Sequence, residues 1–142
     1  MAKMPRFSFS SFFSERDDLQ EYGMLMLRIG MASVFLWFGA NQILKPDDWT
    51  GYLPVWAFSF FLSPETIVLI NGIFETVFSI LLILGVFVPF ASLLLGLHLL
   101  AISISLGVNP VGVRDFGLAV ATLSLALFRH NRFSLQKRIF KR

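Results

Sequence analysis

The sequence contains no cysteine. Disulfides, zinc–thiolate centres and CxxC redox chemistry are therefore excluded, as is thiol–quinone exchange through the chain's own residues. Charge is scarce as well. Only 15% of the 142 residues are Asp, Glu, Lys or Arg, 56% are hydrophobic, and the mean hydropathy is +0.72. A soluble domain carries roughly a quarter charged residues, so too little polar surface is available to cover a water-exposed fold. The sequence also lacks a phosphate-binding GxxxxGK[ST] loop, a GxGxxG turn, an HExxH pair and a nucleophile elbow. Its two histidines, His98 and His130, stand at different depths. They offer no metal-ligand spacing, no metal is expected, and bis-histidine haem ligation is disfavoured.

What is present is a series of long apolar runs. About 20 apolar residues cross a bilayer as a helix, and four such runs are spaced along the chain, at about 19–44, 65–88, 89–107 and 113–128. The first stops at Lys45-Pro46-Asp47-Asp48, where proline and charge end a helix. Gly85 and Pro89 bracket a very short link, and Gly107-Val108-Asn109-Pro110-Val111-Gly112 forms a dense turn cluster. Short links force antiparallel neighbours. The expected fold class is all-α, an integral membrane four-helix up-down bundle. Between spans one and two, residues 46–64 are aromatic but broken by Pro54. Trp49, Tyr52 and Trp56 suit an interfacial segment lying across one mouth of the bundle.

The basic residues behind the net charge of +3 gather in the tails. Residues 1–18 have no continuous apolar core and no cleavage site, so they read as a tail rather than a signal peptide. With residues 129–142 they hold nine Lys/Arg, whereas the opposite side holds Lys45 and Arg114. The positive-inside rule then places both termini in the cytoplasm of a multi-pass cell (inner) membrane protein. Basicity beside a span points to anionic lipid, and nucleic acid is not an expected partner.

A charge near a helix centre costs about 2.5–3.5 kcal/mol to insert, so intramembrane charges face partners or cavities. Arg28, Glu75 and His98 occupy three different spans, and Asn71 shares the Glu75 face. Helix depths allow these four to meet in the cytoplasmic half of the core, as a structural clamp or as a ligand site. Near the other face lie Asn41, Gln42, Lys45, Arg114 and Asp115 beneath Trp49 and Trp56. That group is either ordinary interfacial polarity or the mouth of a pocket for a flat apolar head group.

The segments LRIGMASVFLWFGANQILKPDDWTGYL, NGIFETVFSILLILGVFVPFASLLL and VRDFGLAVATLSLAL together resemble the DoxX/DoxD-like family of small four-helix membrane proteins. The resemblance covers about residues 19–128. It implies a four-helix membrane protein, with some relatives linked to quinone-coupled thiosulfate oxidation or oxidative-stress complexes and others acting as assembly factors. Arg28, Glu75 and Lys45-Pro46 match the family pattern by position. The absence of cysteine argues against a direct sulfur relay.

The leading expectation is a subunit or accessory protein of a quinone-linked redox system. Quinone is the candidate cofactor, and a redox subunit or a second copy is the candidate partner. The chain is not expected to be a complete enzyme alone. A non-enzymatic scaffold and a small proton-coupled transporter are the alternatives.

Overall fold

The computed structural model describes residues 9–59 and 61–128, with side chains from Leu19 onward other than that of Trp56. Among the described residues all regular structure is helical. Four helices are long and apolar enough to cross a membrane. They are α1 (Phe9–Leu44), α2 (Pro64–Leu84), α3 (Val88–Leu106) and α4 (Pro110–Leu127). Two short 3-10 helices, Pro46–Tyr52 and Val55–Ser59, join α1 to α2. The end where α1 begins and α4 finishes is called the tail end below; the other is the loop end.

Local chemistry sets the helix limits. Ser63 caps α2, its hydroxyl accepting from the Thr66 amide at 3.3 Å, with Pro64 in the first turn. Asn109 caps α4 in the same way, accepting from the Val111 and Gly112 amides at 2.9 Å each, ahead of Pro110. The sequence pattern carries α2 on to Val88, but it stops at Leu84. Gly85 adopts φ 70°, a left-handed conformation that glycine accepts without a Cβ clash and that closes the helix end. At the other extreme, α1 reaches back to Phe9, ten residues before Leu19, so part of the expected tail is helix. Residues 1–8, His130 and the basic tail 129–142 lie outside the described residues.

The helices pack as two hairpins: α1 lies closely along α2, and α3 along α4, with lighter contacts between the pairs. The α1–α2 crossing is nearly backbone to backbone. A Cβ on Gly72 would meet the Gly39 carbonyl oxygen at 2.8 Å, and one on Gly39 would meet Thr76 Oγ1 at 2.6 Å. Small residues give helices this approach in lipid, where water does not drive association. The crossing also fixes the register. Counting from it, Leu44 lies level with about Leu69, roughly 8 Å short of the start of α2. This step at the loop end is where the two 3-10 helices sit.

Toward the tail end Met31, Ala32, Leu82, Ala91, Leu95 and Leu125 form a buried hydrocarbon cluster, with Arg28, Ser79, Ser92 and Thr122 buried beside it. The outward faces are apolar too, with Met26, Ile80, Leu97 and Val120 among the exposed side chains. That inversion of the soluble pattern is what a bilayer solvent requires.

Candidate functional site

The loop half of the bundle encloses a cavity of about 680 Å³, lined by all four helices and by both 3-10 segments. Its polar side chains come from every helix: Gln42 on α1, Asn71 and Glu75 on α2, His98 and Ser105 on α3, and Arg114 and Asp115 on α4. The remaining wall is aromatic and aliphatic.

The deepest polar group is the Glu75 carboxylate, buried at 3% exposure. Asn71, one turn away on the same face, donates to Oε1 at 3.2 Å, and Gln42 donates to Oε2 at 3.4 Å. Asn71 also donates to Gln42 Oε1 at 2.7 Å, closing a ring of side chains across the α1–α2 seam. From α3, His98 Nε2 faces Glu75 Oε1 at 3.5 Å. Every group around the carboxylate is thus a potential donor, which suits an acceptor-only carboxylate. Phe74 lies against the His98 ring, with centroids 5.1 Å apart, and fixes its position. A carboxylate and an imidazole at the same cavity wall can exchange protons with a bound ligand.

A second polar pair lies nearer the loop end. Arg114 Nη2 and Nε each approach Asp115 Oδ1 at 2.9 Å, and the guanidinium stands 6.0 Å from the Phe38 ring centroid. Asp115 is buried and Arg114 is exposed at its tip. Above them runs a chain of rings. Trp49 contacts Phe38 at 5.5 Å, Trp37 at 6.4 Å and Tyr52 at 5.8 Å. These contacts pin the first 3-10 helix to α1 and hold it as a roof. Ala57 of the second 3-10 helix, 1% exposed, completes that side.

The structure regroups the residues singled out from the sequence. Glu75, His98 and Asn71 come together as the helix depths suggest, but Arg28 does not join them. Arg28 is buried on α1 about 21 Å along the helix from Gln42, far beyond an arginine's reach. The Gly39–Gly72 register puts Arg28 about level with the Gly85–Phe87 turn at the tail end. Gln42, assigned from sequence to the outer group, takes the place beside Glu75. The cavity lies in the loop half rather than in the tail half where the cluster was placed. Trp49, Arg114 and Asp115 line the same cavity as Glu75, so the two expected groups form one site. Asn41 and Lys45 do not line it: the Asn41 side chain bonds back to the Trp37 carbonyl at 2.7 Å, and Lys45 is exposed at the end of α1. The Trp56 side chain lies outside the described residues. Phe38 and Phe74 were not singled out, and nothing in their spacing separates them from lipid-facing neighbours.

The family model described as DoxX matches residues 23–107, more than half of the chain. The chain belongs to the DoxX family. The match takes in Gln42, Asn71, Glu75 and His98, so the deep polar ring of this DoxX protein falls within the family segment. Arg114 and Asp115 on α4 fall outside it. No curated protein and no solved structure matches the chain.

Proposed function

We propose that this DoxX protein holds the ring of a membrane quinone in the loop-half cavity, as a subunit or accessory protein of a quinone-linked redox system. The observation that carries the reading is the buried Glu75 carboxylate facing His98 on the wall of a mostly apolar, aromatic-rich cavity within the span. A volume of about 680 Å³ falls within the roughly 300–1,000 Å³ typical of small-molecule sites. Its composition, mostly apolar with a few convergent polar groups, is that of a site for a flat, weakly polar ring. A quinone that accepts two electrons also takes up two protons. Glu75 and His98 stand where they can hydrogen-bond a ring oxygen and pass a proton to it, while Gln42 and Asn71 orient the carboxylate. The electrons come from a partner, since the sequence has neither cysteine nor a nucleotide-binding fingerprint.

The proposed setting is the cell membrane with both termini cytoplasmic, supported by the nine Lys/Arg of the tails. The roofed cavity then opens in the outer leaflet.

The test is extraction of lipids from the full chain purified in mild detergent, followed by mass spectrometry. Co-purified quinone at near-stoichiometric amount is the expected result. Glu75→Gln should cut retention at least tenfold while leaving the protein monodisperse. Retention of no quinone by wild-type protein from quinone-containing membranes sinks the reading. The isolated chain should show no quinol turnover, and robust turnover would refute its accessory role.

A further inference from the structure

The cavity is closed on some sides and not on others, and the pattern says how a ligand reaches it. Toward the loop end, Trp49, Tyr52, Leu53, Pro54 and Ala57 line it from the roof. On the α1–α4 side, the stacking of Arg114 on Phe38 bridges the two helices. The α2–α3 side differs. In its tail half the seam is shut by Phe78 against Phe90, with centroids 6.1 Å apart, and at mid-depth by Phe74 against His98. Beyond His98 toward the loop end, Ile70 on α2 and Ala101 and Ser105 on α3 line the cavity and are also exposed on the bundle's outer surface. A residue that both lines a cavity and faces outward marks a slot rather than a sealed wall. His98, at the inner end of this slot, is itself 26% exposed in its side chain.

Helical geometry supports the same placement. Gly96 and Ser103 of α3 face α4, through Leu123 and the Gly112 carbonyl respectively. At about 100° per residue, Ala101 lies on the far side of α3 from that contact. The slot is flanked by apolar lipid-facing side chains such as Ile73 and Ile104.

We propose that the α2–α3 seam between Ile70 and Ala101 is a lateral portal that admits the ring from the bilayer and lets an apolar tail remain in lipid. This deepens, and rests on, the quinone reading. It specifies the ligand class as a long-tailed, membrane-dissolved quinone rather than a small water-borne one. The ring lies inside against Glu75 and His98, and the tail leaves past Ile70 and Ala101.

The experiment uses the full chain in lipid nanodiscs and two probes: a benzoquinone with a ten-carbon tail, and the same ring without it. Retention is measured against empty nanodiscs. Ala101→Trp fills the slot from an exposed position, so the fold should persist. It should weaken binding of the tailed probe at least tenfold and of the tailless ring less than twofold. Val120→Trp, equally lipid-facing on α4 but away from the cavity, should change neither. Equal weakening of both probes by Ala101→Trp, or no weakening of either, overturns the portal while leaving the quinone site standing. A wild-type chain that binds neither probe overturns the quinone reading, and the portal with it, because the portal is assigned to that ligand's tail.

Discussion

The two halves of the bundle contain similar numbers of buried polar side chains but satisfy them differently. In the tail half, the buried hydroxyls turn back on their own helices. Ser79 donates to the Thr76 carbonyl at 2.8 Å, Ser92 to Val88 at 2.7 Å, and Thr122 to Leu118 at 2.8 Å. These hydroxyls leave nothing to point at a neighbour, and around Leu82 and Leu95 that half packs as hydrocarbon, with the buried Arg28 side chain near its outer end. In the loop half, side chains also reach between helices: Asn71 donates to Gln42 across α1–α2 and Ser103 to the Gly112 carbonyl at 2.8 Å, while His98 faces Glu75 at 3.5 Å. The cavity opens between the two hairpins, whose mutual contacts are lighter than those within each, and these polar groups stand on its walls. The lesson is that the two halves differ in where a polar side chain finds its partner, on its own helix or across to another, and not in how many such side chains there are.

That contrast can be broken most severely at the crossing that sets both halves. Gly72→Leu drives side-chain atoms into the Gly39 backbone and must part α1 from α2. A destabilisation of about 3 kcal/mol or more is expected, with loss of monodisperse protein in gel filtration. Next in size is Leu95→Ala, at a position with no exposure in the solid half. It should cost about 2–5 kcal/mol in denaturant unfolding from detergent micelles, with no direct effect on ligand retention. If it costs less than about 1 kcal/mol, the tail half is not the close-packed region described. A smaller, sharper comparison pairs Asn71→Leu with Thr122→Val. Loss of the cross-helix bond to Gln42, with that to Glu75, in the first should cost about 1–2 kcal/mol, whereas the second, removing only a bond within its own helix, should cost about 0.5 kcal/mol or less. Equal costs would erase the distinction between the halves.

Much of the architecture was legible in the chain. Four apolar runs of bilayer length, punctuated by Pro46, Pro64, Gly85 and Pro110, leave little choice of helix number, and short links make neighbours antiparallel. The candidate site was half legible. Glu75 and His98 stand out because charge in a span is costly, and Asn71 follows from its place one turn before Glu75. Arg28 stood out for the same reason and misled, because depth counted along each helix assumes that their ends are level. They are not: α1 slides toward the tail end relative to α2, carrying Arg28 out of range and bringing Gln42 in. The signal that would have found this is the pair Gly39 and Gly72, since matching the two smallest residues of the facing helices gives the register directly.

The sequence by itself determined that this is a multi-pass helical membrane protein with few intramembrane charges and no thiol chemistry, because hydropathy and composition act residue by residue. Only the tertiary structure decided which polar groups meet. Their meeting depends on the axial offset between helices, set by two glycines more than thirty residues apart, and on a roof that exists because that offset leaves a step to fill.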